Sequence, residues 1–337
     1  MASNQGKRSL GRKAAAAVMS GLLVFGSTPI LPIAQALADE VEVNAEEQGQ
    51  VIEFENFESR EVTPSYTIDD LVLETQTVGP VAQVGETTYG SLREAINDAT
   101  SGSIITLLAD DTTSFATSGI VIEKDLTIDG NGKTIRGNSG AGEGNVASMD
   151  KVTDDNVHGF YIKSGNVTIN NLTMTEFGDK GYVNKFGCVP ILTSTDYTGT
   201  LTLSNVNIDK FNRQAICING GTFAITGGMI DGNATNTGKD HFQQGIEIRG
   251  GSGTIDGTSV TGGGSNLPYP GIGIVSWSQG NVTLNNVYVN YTGIGVEADW
   301  NTVSITGDRT SIGGTEKALF VEDGGLLNVG TGSLVVS

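Results

Sequence analysis

The sequence predicts an all-β domain, a right-handed parallel β-helix with a short N-terminal capping helix. Three observations lead there. A short strand–bend–strand pattern recurs from residue 126 onward, a second alternating pattern precedes its later copies, and one amphipathic helical segment stands before the strands.

The first 38 residues read as a secretory signal outside the fold. Lys7, Arg8, Arg12 and Lys13 form a basic start, an apolar stretch follows to about Ala34, and Ala36-Leu37-Ala38 has the small-x-small pattern of a cleavage site. An uncleaved anchor is the other reading, but Gly, Ser and two prolines interrupt the apolar run. Residues 39–78 are acidic and weakly patterned, as expected of a flexible leader. Past residue 38 the chain holds 15 basic against 38 acidic residues, net −23. That charge repels nucleic acid and anionic membrane and disfavours polyanionic glycans unless calcium or a local basic patch intervenes.

The β-helix domain is expected over 79–337. Near its start, Ser91 and Glu94 form a capping box, and Leu92, Ala95, Ile96 and Ala99 share one helical face. Gly102 can close that helix, and Ile104 to Leu108 reads as a strand. The helix suits a plug for the open end of a solenoid.

The recurring pattern runs through Leu126-Thr127-Ile128-Asp129-Gly130, Val167-Thr168-Ile169-Asn170-Asn171 and Leu201-Thr202-Leu203-Ser204-Asn205. It continues through Phe223 to Gly227, Gly253 to Gly257, Val282 to Asn286 and Val303 to Gly307. In every copy the second residue after the central Ile or Leu is Gly or Asn, the residues that tolerate a left-handed conformation. The central residues lie 21 to 41 apart, which fits a core rung near 21 residues with loop insertions. Alternation in Ala215 to Ile218, Gly245 to Ile248, Gly271 to Ile274, Gly293 to Val296 and Ala318 to Val321 adds a third strand per rung. Propeller blades need hairpins, a leucine-rich repeat needs a Leu frame with a fixed Asn, and a sandwich would not repeat one bend so consistently.

The Ile-x-Asn or Ile-x-Gly bend resembles that of pectate-lyase-like right-handed β-helices, whose Asn residues stack into ladders. Asn171, Asn205 and Asn286 match, and Gly130, Gly227, Gly257 and Gly307 interrupt. The segment Val84 to Ile96, followed by Ile104 to Asp111, resembles the capped start of such domains in bacterial surface adhesins. The resemblance covers about residues 80–337 and carries fold rather than activity, because this fold hosts lyases, hydrolases, adhesins and phage spikes.

The chemistry is sparse. Aligning the three Gly-Ile repeats puts Glu247, Gly273 and Gly295 in one outward row and Arg249, Val275 and Glu297 in the next. Glu247 and Glu297 are then roughly 11–12 Å apart by strand geometry. Glycosidases want about 6.5–9.5 Å for inversion or about 5–5.5 Å for retention. Arg249 is the best-placed base for a lyase, with Lys163 and Lys180 behind it, but the lyase and hydrolase motifs of the family are missing, and surface charge explains Arg249 and Glu297 as well. His158 and His241 match no zinc spacing. Asp231, Asn233, Asn236 and Asp240 make an oxygen-rich loop that accommodates calcium, so the cofactor expectation is none, or calcium there. Trp277 and Trp300 follow the same strand on adjacent rungs. Exposed, they offer stacking faces to sugar rings, with Asp299 and Gln279 as polar neighbours; alternatively each covers the apolar edge of a turn. Pairing Val189 with Ile216 leaves Cys188 and Cys217 two positions out of register, and free or only partly oxidised thiols are expected.

No catalytic set stands out. The expected function is adhesin-like binding of a glycan or host-surface ligand by a secreted or cell-surface protein; the alternative is a polysaccharide lyase or glycoside hydrolase. No transmembrane span is expected in the mature chain. The apolar run Leu334-Val335-Val336-Ser337 suggests a solenoid that continues past Ser337, where cell-wall attachment would lie.

Overall fold

The computed structural model describes residues 79–137, 152–154, 156–177, 189–211, 213–232, 242–262, 271–277, 280–330, 332 and 334–337. The expected signal and leader lie outside these residues. Among them no helix is long and apolar enough to cross a membrane.

The chain forms a right-handed parallel β-helix of eight rungs, each made of three short strands that belong to three walls. The first rung shows the order: Ile120–Glu123 in wall one, Leu126–Asp129 in wall two, Thr134–Arg136 in wall three. Parallel backbone pairing stacks each strand on its equivalent in the next rung. In wall two, Ile105, Ile128, Ile169, Leu203, Ile225, Ile255, Leu284, Ile305 and Val329 form one column. All but Val329 are buried. Each buried member contributes about 1.5–3 kcal/mol.

The N-terminal end is closed. Ala82–Val84 pairs antiparallel with Thr87–Tyr89 on one side and Ser103–Leu107 on the other, which ends the parallel stack of wall two. The helix Leu92–Asp98 buries Leu92, Ala95 and Ile96, and the Ser91 hydroxyl accepts from the Glu94 N–H. Ala99 caps the helix, one turn earlier than Gly102, which instead turns the chain at φ 83° into the first parallel strand. Asp111, fully buried, accepts from the Leu92, Thr113 and Ser114 N–H groups. Burial pushes its carboxyl up, and these bonds with the Ser114 hydroxyl outweigh that and hold it below the ordinary range.

The bends adopt the left-handed conformation. Asn171, Asn205 and Asn286 have φ of 50°, 52° and 52°, and Gly227, Gly257 and Gly307 have 63°, 65° and 90°. Gly130 departs from this. Its bend is two residues longer, so Ile135 stacks on Met174 and the left-handed residues are Asn131 and Gly132. The ladder is short: Asn205 Nδ2 donates to Asn171 Oδ1, and Asn171 Nδ2 to Asp129 Oδ1, each at 3.4 Å. A Cβ at Gly227 would lie 2.5 Å from Asn205 Oδ1, so the ladder stops there.

In wall one the Gly-Ile alignment holds between Ile272 and Ile294 but slips by two residues on either side of that pair. Ile246 pairs with Ile274, which pairs with Val296, then Leu319. Ile191, not Val189, pairs with Ile216. The residues that turn inward just before this column are small. A Cβ on Gly245, Gly273 or Gly295 would meet Val260, Val289 or Ile312 of wall three at 2.3–2.6 Å. This inward step leaves Gln214, Gln244 and Ile272, one position earlier, aligned together ahead of the bend. Gly273→Val should therefore destabilise the domain by at least about 2 kcal/mol through overpacking, read as a lower urea midpoint. An unchanged midpoint would contradict the inward placement of that row.

Candidate functional site

The outer face of wall one carries most of the side chains with chemistry, and its character changes along the helix axis. Over the early rungs it is an apolar cluster. Val157, Val189, Leu192 and Cys217 are buried there beside Val121, Val152 and Tyr161. Cys217 is a free, buried thiol, and burial followed by the nearby Glu247 pushes it well above its ordinary pKa, so it stays protonated and unreactive. Cys188 lies outside the described residues.

The middle rungs are polar but closed. Glu247 is aligned with Cys217 and has no exposure. Arg249 donates to its carboxylate at 2.9 Å and Gln214 Nε2 donates to its other oxygen. Arg249 also lies over the Trp277 ring, 5.6 Å from its centroid. The half-buried Arg213 faces the same carboxylate. The Oε1 atoms of Gln214 and Gln244 are buried without a hydrogen-bond partner, although the two side chains are more than nine-tenths buried. In this ion pair Glu247 is sealed and Arg249 is partly open to solvent, so the desolvation cost falls mainly on the carboxylate, which its hydrogen bonds offset.

The late rungs are acidic. Glu297 is aligned with Val275 and Phe320, and Asp299 with Trp277 and Glu322. Carboxylate oxygens of Glu297, Asp299 and Glu322 lie within 4.8 Å of one another, the one such group among the described residues. Burial, then repulsion from Glu322 and Asp299, pushes the Glu297 carboxyl up to about 7. Asp299 is also raised, by burial and then by Asp323 and Glu322. A divalent cation or a shared proton would relieve this repulsion. Glu322 is not among the residues singled out from the sequence; the pairing of Val296 with Leu319, rather than with Val321, sets it beside Asp299.

Glu247 and Glu297 consequently share one row, two rungs apart, rather than lying offset by two residues. Their backbones are separated by about 9.6 Å, with the fully buried Val275 between them. Arg249 is committed to Glu247. Lys163 is paired with Glu123 at 2.8 Å and Asp154 at 3.1 Å, and those bonds raise its pKa, so it stays protonated and is not available to take a proton. Trp277 and Trp300 are not equivalent. Trp277 ends its strand half-buried, with an indole N–H that is buried and unpartnered. Trp300 follows its strand at φ 58° and is 65% exposed. Asp231 accepts from Thr261 Oγ1 at 3.2 Å. Asn233, Asn236 and Asp240, with Lys180, His241 and Gln279, lie outside the described residues. His158 is buried.

Comparison with known protein families, with characterised proteins and with solved structures returned no match.

Because its pKa is higher in the folded chain than in the unfolded one, Glu297 favours the fold at acid pH. That contribution is complete below about 4.5 and is lost as pH rises through about 7. Glu297→Gln should cancel it, so that the variant gains on the parent by about 1–3 kcal/mol between acid and mildly basic pH. Urea unfolding across that range measures it, and a constant difference would show that Glu297 titrates normally.

Glu247→Ala should cost about 2–3 kcal/mol, because it removes the carboxylate shared by Arg249 and the buried Gln214 amide and leaves a cavity. A loss under about 1 kcal/mol would mean that Arg249 finds solvent instead.

Proposed function

We propose that this chain is an exported, adhesin-like β-helix that binds a glycan or host-surface ligand along the outer face of wall one without catalysis. It would be a surface-displayed relative of the pectate-lyase-like helices its bends resemble. The observation that carries the reading is Trp300, a large aromatic face 65% exposed that directly follows Asp299, one of the late-rung carboxylates, in the chain. An exposed indole offers an apolar stacking face to a sugar ring, and carboxylates accept hydrogen bonds from its hydroxyls. The net charge of −23 past residue 38 favours a neutral or cationic glycan over a uronate polymer. Calcium at Glu297, Asp299 and Glu322 is compatible with this reading and not required by it.

A second reading, glycoside hydrolysis, is favoured by one observation. Glu297, with a pKa pushed up to about 7, is suited to a general acid, and Glu247 shares its row. Against it stand the sealed position of Glu247 and the buried Val275 between the two.

The two separate in one experiment. A panel of neutral and uronate glycans is titrated into the parent chain and Trp300→Ala, and each mixture is assayed for new reducing or unsaturated ends. The expected result is binding of a neutral or cationic glycan that weakens about tenfold in Trp300→Ala, equivalent to about 1.4 kcal/mol, with unchanged thermal stability and no new ends. Binding indifferent to Trp300 would sink the first reading. New ends that vanish in Glu297→Gln would establish the second.

A further inference from the structure

The exposed aromatic surface of this molecule is concentrated in one place. Among the described residues three aromatic side chains are exposed: Tyr288 at 41%, Tyr291 at 54% and Trp300 at 65%. All three lie around one strand of wall one, Ile294–Asp299 in rung seven. Tyr288 stands on the outer face of wall three. Tyr291 lies in the turn that enters the strand, and Trp300 directly follows it.

Tyr291 and Trp300 share a second property. Each has φ 58°, and among the described residues no other aromatic has a positive φ. A bulky side chain in that region strains the backbone. Elsewhere the turn from wall one to wall two gives its left-handed position to glycine, at Gly165, Gly221 and Gly251. In rung seven Trp300 takes it. The surroundings of Tyr291 are bare. The register of Val289 with Val260 and with Ile312 sets Gly262 and Gly314 beside it, so no side chain from those positions covers its ring. The turn itself is held without the ring: the Tyr291 N–H donates to Asn290 Oδ1 at 2.8 Å, and the next residue, Thr292, is fully buried. Strain kept at two exposed rings serves neither the core nor the turn, and such strain points to function.

Between the rings the strand lies low. Gly293 and Gly295 carry no side chain, Glu297 is buried, and Ile294 and Asp299 rise only partly into solvent. The six residues of the strand span roughly 17 Å. That is the reach of several linked sugars and too far for one.

We infer that the two rings are the ends of one binding line: a neutral oligosaccharide lies across wall one along Ile294–Asp299, with Trp300 stacked on one sugar and Tyr291 on another. This rests on the glycan-binding reading above and adds the direction of the chain, its least length and a second stacking residue. Asp299, between the rings, accepts hydrogen bonds from sugar hydroxyls. Once one end is held, the other is captured at high effective concentration, so the two contacts reinforce each other. Tyr288 is no part of the line.

The test uses the full chain and follows the Trp300 indole N–H resonance. The probes are fragments of a neutral glucan, mannan, galactan and xylan, each as the disaccharide and the hexasaccharide. The expected result is that a hexasaccharide shifts the indole at about tenfold lower concentration than its disaccharide. Tyr291→Gly should remove that advantage and leave the disaccharide unchanged. The same variant should keep or raise the urea midpoint, because glycine is at ease at positive φ. Hexasaccharide binding that weakens in Trp300→Ala but not in Tyr291→Gly would overturn the binding line and leave the glycan reading standing. So would an equal loss at both lengths in Tyr291→Gly, which would make Tyr291 a support of the Trp300 site. An indole indifferent to every probe would overturn both.

Discussion

Everything in this molecule depends on one constraint, the stacking of each rung on the last through parallel backbone hydrogen bonds. Pairing fixes the spacing between rungs at about 4.8 Å, and it makes equivalent residues neighbours whatever lies between them in sequence. A long insertion can therefore enter between rungs without disturbing the column of Ile169, Leu203, Ile225 and Ile255. Conversely, one displaced residue changes every outward row. The bends serve the same end. A left-handed residue turns the chain from wall two to wall three within one position, and its own N–H then donates to the next rung, as Asn205 does to the Thr226 carbonyl at 2.9 Å.

The outer face of wall one follows from that stacking. The same mechanism that builds the core arranges three different environments in sequence: an apolar cover, a sealed polar pocket around Glu247, and an open acidic end with Trp300. Their different burial decides what each can do. Glu247 is held by Gln214 and Arg249 and has no access to a substrate, so its charge serves the fold. Glu297 is nearly as buried but crowded by acids, which is why its proton is held so late. Only the last environment combines exposed apolar area with free polar groups, and that combination is what a sugar ring requires.

The bends and the core were legible in the sequence because both signals are local. A residue at positive φ favours Gly or Asn wherever it occurs, and an inward Ile is apolar in every rung. The capping helix was legible for the same reason, through Ser91 and Glu94. The rows of wall one were not. Gly245-Ile246-Glu247-Ile248 can be set on Ile272 or on Ile274 of the next rung, and alternation of period two cannot tell the registers apart. Long-range packing decides between them: Gly273 and Gly295 must face Val289 and Ile312 across the interior, where no larger residue fits. That slip moved Glu247 out of the row that holds Val275 and Glu297. The unequal burial of the two tryptophans was hidden too, since it depends on Arg249 lying over Trp277.

The chain contains two tryptophans, so its indole N–H resonances number two in a nitrogen–proton correlation spectrum, and one of them reports directly on the proposed binding face. Titrating a neutral glycan that binds the protein, while following both indoles and the backbone amides, tests the account most directly. If the late rungs of wall one bind the sugar, the Trp300 indole and the amides near Asp299 and Glu322 move together along one saturable curve, with walls two and three unaffected. Saturable shifts confined to walls two or three, with both indoles still, would contradict it.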